Sequence, residues 1–566
     1  MNPMESRAVP IGAAMLACCL LTVPAMAQDP DAARMNAIEH QIIELQRELR
    51  QMRSEMAKRD AALRAAQQQA GVAQAAAAQA AAQAAAARAA AAASPLNTTL
   101  PAASLAQAAP TPPPARPGKP GQFKLGGLTI TLGGFIETAG IFRSPNETAD
   151  ISSTFSGIPL GNTPQGHETE LRFTARQSRF TALVEGQPDD VTRIAGYGEI
   201  DLQGAAPTAN SNESNSYTPR LRQAYLTYDR KDWGVNILAG QAWSLLTLDA
   251  HGITERTEQP PLTIEGQYVA GFTWSRQPQL RVVKQLIDNQ LAVGVSIENP
   301  QTVFTTGGFT SSTSGTANLV TLPNGTFVNI NNAGGSGFAP TVNYSDEVAP
   351  DVVAKLAWDP GFGHYELYGV ARFLHDRVDF VGGGHGETTP AGGIGAATIL
   401  PLIPGKLSLQ ASVLAGYGIG RYGAGQLPDA TIKPDGAPWA IPEVQGLVGL
   451  IGHPIPTVDL YAYFGSEQED KTAFTAGGKA FGYGSPLFVN SGCDVELSPL
   501  ACTGNTAGLT EGTVGFWWRF LHGNFGTMQL GAQYAYIRRN VFPGVGGEPS
   551  ADENMVFVSF RYYPFQ

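Results

Sequence analysis

Basic side chains recur on the polar face of short alternating segments. Arg172 and Arg176 alternate with Phe173 and Ala175, and Arg179 precedes Phe180. Lys355 lies between Ala354 and Leu356, and Arg372 between Ala371 and Phe373. A guanidinium presents a rigid fork of donors that grips a carboxylate at two points. A row of such groups on one wall raises the local concentration of anions. The chemistry these positions suggest is the binding or guiding of small anions. Glu185, Glu199 and Asp201 occupy similar polar positions, so a solvated wall of balanced charge is the alternative. Arg220 and Arg222 break the rule, because strict alternation groups them with Ala224 and Leu226. A β-bulge or an interface position is expected there.

Other reactive constellations are sparse. The eight His are scattered, and no HExxH, GxSxG or P-loop pattern occurs. Gly418-x-Gly420-x-x-Gly423 matches a dinucleotide fingerprint by letter. It follows a strand, but no helical pattern follows it, so it reads as a strand end. No catalytic residue, metal ligand or cofactor is expected, and the protein is not expected to be an enzyme. Cys493 and Cys502 are the only cysteines after the N-terminal segment. In an exported chain they read as a loop-stapling disulfide, with two free thiols as the alternative. The net charge of −11 argues against nucleic acid as a partner.

The elements that position the arginines follow from texture. Charged residues make up 15% of the chain, and Gly is abundant at 65 of 566 residues. From residue 123 onward, segments of about ten residues alternate apolar and polar side chains. Leu407, Leu409, Ala411 and Val413 alternate with Ser408, Gln410 and Ser412. Period two with one apolar face is a half-buried strand. A β-sandwich would give the same alternation, but its units are about 100 residues long. Here the pattern runs to the end, where Val556, Val558, Phe560 and Tyr562 form the last stripe. Residues 123–566 are therefore expected to form an all-β transmembrane barrel of about 16 antiparallel strands, apolar outside and wet inside. The polar stretches Thr302 to Tyr344 and Glu467 to Thr510 are candidate extracellular or pore-folding loops. The cluster Glu467, Glu469 and Asp470 suits a rim.

Three segments precede the barrel. Residues 1–27 read as a signal peptide, with an apolar run ending in Ala25-Met26-Ala27. Residues 28–94 read as an α-helical coiled coil followed by an Ala-rich helix. Met35, Ile42, Leu49, Met56 and Leu63 take one heptad position, and Ile38, Leu45 and Met52 the other. Residues 95–122 are a Pro-rich linker.

Several motifs carry a resemblance. They are Arg220-Leu221-Arg222-Gln223-Ala224-Tyr225 and Leu238-Ala239-Gly240-Gln241-Ala242-Trp243-Ser244. Two more are Arg276-Gln277-Pro278-Gln279-Leu280-Arg281 and the ending Phe560-Arg561-Tyr562-Tyr563-Pro564-Phe565. With the preceding coil, the chain resembles the DcaP-like trimeric outer-membrane porins. The resemblance singles out Arg220, Arg222, Tyr225, Gln241, Trp243, Arg276 and Arg281. It implies a homotrimer of 16-stranded barrels in the Gram-negative outer membrane, embedded in lipid, with a periplasmic coiled coil. It also implies passive uptake of small organic anions, notably dicarboxylates. The coil is a candidate for peptidoglycan contact. The alternatives are a general or cation-preferring porin, a trimeric tether or adhesin, and, last, an outer-membrane enzyme.

Overall fold

Period-two alternation sorts side chains to opposite faces of a closed wall. In Leu291–Glu298, Val295 and Ile297 are exposed while Ser296 and Glu298 are buried. The computed structural model describes Arg47 and residues 120–204, 218–287, 290–334 and 342–566. The expected signal peptide, the expected coiled coil apart from Arg47 and nearly all of the expected linker lie outside the described residues.

Sixteen strands form the barrel. They begin with β1 (Leu128–Ser144), β2 (Arg179–Gly186), β3 (Thr192–Gly204), β4 (Thr218–Arg230) and β5 (Val235–Trp243). They continue with β6 (Arg276–Ile287), β7 (Leu291–Glu298), β8 (Asp351–Trp358), β9 (His364–Phe380), β10 (Gly383–Ile403) and β11 (Leu407–Tyr417). They end with β12 (Pro442–Ile455), β13 (Val458–Glu469), β14 (Thr506–Gly523), β15 (Gly526–Val541) and β16 (Ser550–Tyr563). Each pairs antiparallel with the next. β16 closes on β1, from Ile136↔Tyr562 to Ser144↔Asn554. Closure leaves no strand edge unpaired in lipid, which is the condition for a sheet to cross a bilayer.

Among the described residues the outer stripe meets no second layer. Leu171, Phe173, Leu226, Leu367 and Ile394 are all exposed, Leu367 at 61%. An apolar belt of this extent suits lipid and not water. At the short-turn end, Trp358, Phe362 and Tyr365 cluster, as do Trp518 and Phe520. These are interface aromatics of the kind that ring a bilayer boundary.

The long connections depart from expectation. Within the polar stretch that begins at Thr302, Phe327 to Asn329 pair with Asp379 to Arg377 of β9. Residues 467–510 hold a small hairpin (Thr472–Ala476 with Lys479–Tyr483) and the Cys493–Cys502 disulfide. Residues 244–275 and 418–441 fold into the bore, and Ile151, Phe155 and Ile158 of the β1–β2 connection pack with them in one buried cluster; sequence patterning had left these stretches unmarked. Glu467 is not a rim residue: it is fully buried and accepts the Gly271 and Gly425 amides.

Candidate functional site: an arginine-lined constriction

Residues 244–275 leave β5 and return to β6 after crossing the lumen side of the wall. Their composition explains the path. Leu245, Leu246, Leu248 and Ile253 pack on Val283, Val353 and Tyr368 of the wall. Ile264, Val269 and Phe272 join Leu447, Tyr461 and Leu509. A loop this apolar is poorly placed in water and well placed against an apolar patch.

The loop backbone needs hydrogen-bond acceptors once buried, and wall acids supply them. Leu245 donates to Glu298 at 2.9 Å, Asp249 to Glu366 at 2.9 Å and Gly252 to Asp359 at 3.0 Å. Ala270 donates to Glu511 at 2.8 Å and Gly271 to Glu467 at 2.7 Å. Contact is closest at Gly465, where an added Cβ would lie 1.9 Å from the Ala270 carbonyl oxygen. Much of the barrel's acidity is thus turned toward loop amides and away from the bore.

The arginines face the other way. The β3–β4 register slips where Glu199 pairs with Gln223 and Ile200 with Leu221. Arg222 is the extra residue, so it and Gln223 both point inward, buried. Gln241 fixes the bulge by donating to the carbonyls of Leu221 and Arg222 at 3.0 and 3.2 Å. Arg220 and Arg222 both reach Asp201, at 2.6 and 3.0 Å. Arg179 lies 3.3 Å from Glu199 and over the Phe135 ring. Arg561 pairs with Glu137 at 3.0 Å between Phe135 and Trp517. Arg276 stacks on Trp243 and Trp274, at 5.0 and 5.2 Å. Its Nη1 is buried without a hydrogen-bond partner among the described residues. Five arginines here face three carboxylates.

Tyr268 of the in-folded loop stands at the centre. Its ring lies 6.0 Å from Trp243 and 5.3 Å from Trp274. Burial pushes its phenol up, but Arg222, Arg276 and Arg179 outweigh that and leave it below its usual value. Its φ of 75° is rare for a bulky residue and costs on the order of 1–3 kcal/mol. The surrounding rings hold it there. Arg179, Trp243, Tyr268, Trp517 and Arg561 line a cavity of about 350 Å³. Arg220, Arg222, Trp274, Arg276 and Arg421 line a second.

The remaining sequence candidates lie elsewhere. Lys355 does not present its charge to a solute: it is buried between Asp249 and Glu366, each at 3.0 Å. It also donates to the Thr247 carbonyl at 2.6 Å, so it clamps the loop. Arg372 is likewise buried, 3.2 Å from Asp351 and 2.6 Å from Asp429, and holds the segment 418–441. Arg281 is buried and donates to Gln279 and to the Trp243 carbonyl. Tyr225 is buried and accepts from Arg256 at 3.3 Å. Arg172, part-exposed, pairs with Glu170 at 2.7 Å. Arg176 donates to the carbonyls of Leu202 and Gly204 at 3.2 and 2.8 Å. Sequence patterning put Arg561 on the polar face of the last strand but singled out neither it nor Arg421 as a site residue. Arg421 sits on the in-folded segment, where it donates to the Gln301 carbonyl at 3.1 Å. Within the Gly418–Gly423 stretch, Gly420–Tyr422 form a short 3-10 turn just past the end of β11.

The clamp gives a stability prediction. Lys355→Met leaves Asp249 and Glu366 buried without their cation, a loss of about 3–5 kcal/mol. Thermal unfolding of the detergent-solubilised protein should show a clearly lower midpoint.

A closed sixteen-stranded antiparallel barrel with an in-folded loop is the architecture of an outer-membrane channel. A particular solved structure with this fold is the outer-membrane channel DcaP of Acinetobacter baumannii. It is 16% identical, the match covers 78% of this chain and 98% of that one, and the TM-score is 0.53. That fold fits the DcaP-like resemblance carried by the Arg220–Tyr225 and Leu238–Ser244 motifs. An anion-selective porin from Comamonas acidovorans is 10% identical, covering 77% of this chain and 99% of that one, with a TM-score of 0.41. Salmonella typhi OmpF in complex with daunomycin is 9% identical, covering 78% and 99%, also with a TM-score of 0.41. No protein-family model matches the chain, and no curated protein sequence matches it.

Proposed function

We infer that the protein is an outer-membrane porin through which small organic anions, dicarboxylates among them, diffuse passively. The observation that carries this reading is Arg276. It lies on the lumen wall, stacked on two Trp rings, with a buried N–H that no described residue accepts. A passing carboxylate offers the missing acceptor. Arg222, Arg179 and Arg220 extend the positive field along the bore, while wall acids are engaged by loop amides. The chain's net charge of −11 therefore does not set the sign of the constriction. Passage needs no nucleotide and follows the gradient. We assign the working form to a homotrimer, with the coil of residues 28–94 as its trimerisation or peptidoglycan-binding handle.

The test is the reversal potential of single channels in a planar bilayer under a KCl gradient. The expected sign is that of chloride preference. A cation-selective value would overturn the arginine argument and leave the fold untouched.

A further inference from the structure

His364 opens β9 at the short-turn end, and its ring is buried. Both ring nitrogens face carboxylates. Nδ1 lies 2.8 Å from Asp359 Oδ1, and Nε2 lies 3.0 Å from Glu366 Oε1. An ionised carboxylate only accepts, so both nitrogens must donate, and only the imidazolium carries two N–H groups. The site is thus built around a charged ring.

The same two acids carry the in-folded loop. Glu366 Oε1 accepts the Asp249 amide at 2.9 Å, and Asp359 Oδ2 accepts the Gly252 amide at 3.0 Å. Their holds differ. Glu366 is buried and also bound to Lys355 at 3.0 Å. The Asp359 side chain is 20% exposed, and among the described residues His364 is its only cationic partner. Once the ring is neutral, Nδ1 turns a lone pair on the Asp359 carboxylate, and two facing acceptors repel. Asp359 can turn to water, and Gly252 then loses its acceptor. Glu366 stays, because Lys355 holds it.

We propose that His364 is a proton-operated latch on the in-folded loop 244–275. Charged, it ties Asp359 to Glu366 and holds the loop to the wall at Gly252. Neutral, it keeps Glu366, releases Asp359 and frees the loop at that point. The hold is present at acid pH and lost as the pH rises. The other groups around the latch are few. Lys355 of β8 is bound to Asp249 and Glu366. Glu258 and Arg281 stand beside Asp249, and His251 of the loop is exposed. β10 contributes Thr398 and Ile399, which do not titrate. Glu258 is the competing titration, since burial and Asp249 push its carboxyl up to about 7.

Single channels of the full-length protein are recorded in planar bilayers from about pH 6 to about pH 9, a range centred above the ordinary histidine value. Amide exchange of the peptide spanning Gly252 is followed over the same range and corrected for the intrinsic rate. Only the current rests on the channel reading; exchange reads the latch in a barrel of any function. In wild type, open-channel noise should rise with pH, and protection at Gly252 should fall about tenfold, as the loss of one hydrogen bond to a charged group requires. His364→Gln should show one level of noise and protection at every pH. Asp359→Asn gives Nδ1 a neutral neighbour and should be equally flat; it decides the matter if His364→Gln does not fold. Glu258→Gln and His251→Gln should follow pH as wild type does. The proposal is overturned if wild type is flat across the range, if His364→Gln or Asp359→Asn still follows pH, or if Glu258→Gln or His251→Gln abolishes the response.

Discussion

Arg276→Gln is expected to cut the preference for anions over cations about fivefold for a monovalent anion. The argument is electrostatic. Two unit charges interact with about 332/(ε·r) kcal/mol, so at about 6 Å and an effective ε between protein and water one arginine contributes roughly 1 kcal/mol. That corresponds to about a factor of five in the local anion population, and to about twenty-five for a dianion, because the energy doubles with charge. Arg276 is the right probe because, among the described residues, no carboxylate is paired with it. Its removal strands no buried acid, whereas removal of Arg222 would strand Glu199 and Asp201. Arg281→Gln serves as the contrast: that side chain is 1% exposed and bonded to Gln279 and Trp243. It should lower stability and leave selectivity where it was. Reversal potentials with chloride and with a dicarboxylate check both statements. An equal effect of Arg276→Gln on the two anions would show that the guanidinium acts by size and not by charge.

What the sequence disclosed, and what it hid, follows from the range of each signal. Alternation is local, so the strands were legible: Val295, Ile297 and Leu367 lie outward, and Ser296, Glu298 and Glu366 inward. The fault at Arg220 and Arg222 was legible for the same reason, because a broken period calls for an extra residue. Alternation gives a face but not a partner. Lys355 and Arg372 were read as solute-facing because their acids come from far along the chain, Asp249 at 106 residues' distance and Asp429 at 57. Both acids sit on in-folded segments, and no strand period announces that a loop turns inward. One signal was available. Leu245, Leu246, Leu248, Ile253, Val269 and Phe272 make residues 244–275 too apolar for a water-exposed loop, and the inward-facing acids Glu298 and Glu511 have no basic neighbour close in sequence. Together these point to a buried backbone in need of acceptors.

Because the loop rests on backbone, its seat can be altered without touching a charge. Gly465→Val is expected to reduce single-channel conductance by about half while the barrel still folds. An added Cβ at this position lies 1.9 Å from the Ala270 carbonyl oxygen, against an ordinary contact of 3.4 Å or more. The obstacle is main chain, so no rotamer change relieves it. The wall strand is fixed by its ladders to β12 and β14, and the loop is the part that yields. It must move inward by about 1.5 Å, toward the rings of Tyr268 and Phe272 and into the cross-section of the bore. The same shift stretches the Ala270–Glu511 and Gly271–Glu467 hydrogen bonds, so open-channel noise should rise as the loop gains alternative positions. Gly512→Ala, on the neighbouring strand, meets nothing within 4 Å and should conduct like wild type. Conductance unchanged in Gly465→Val would mean that residues 244–275 do not set the narrowest section, and that the segment 418–441 with Arg421 does.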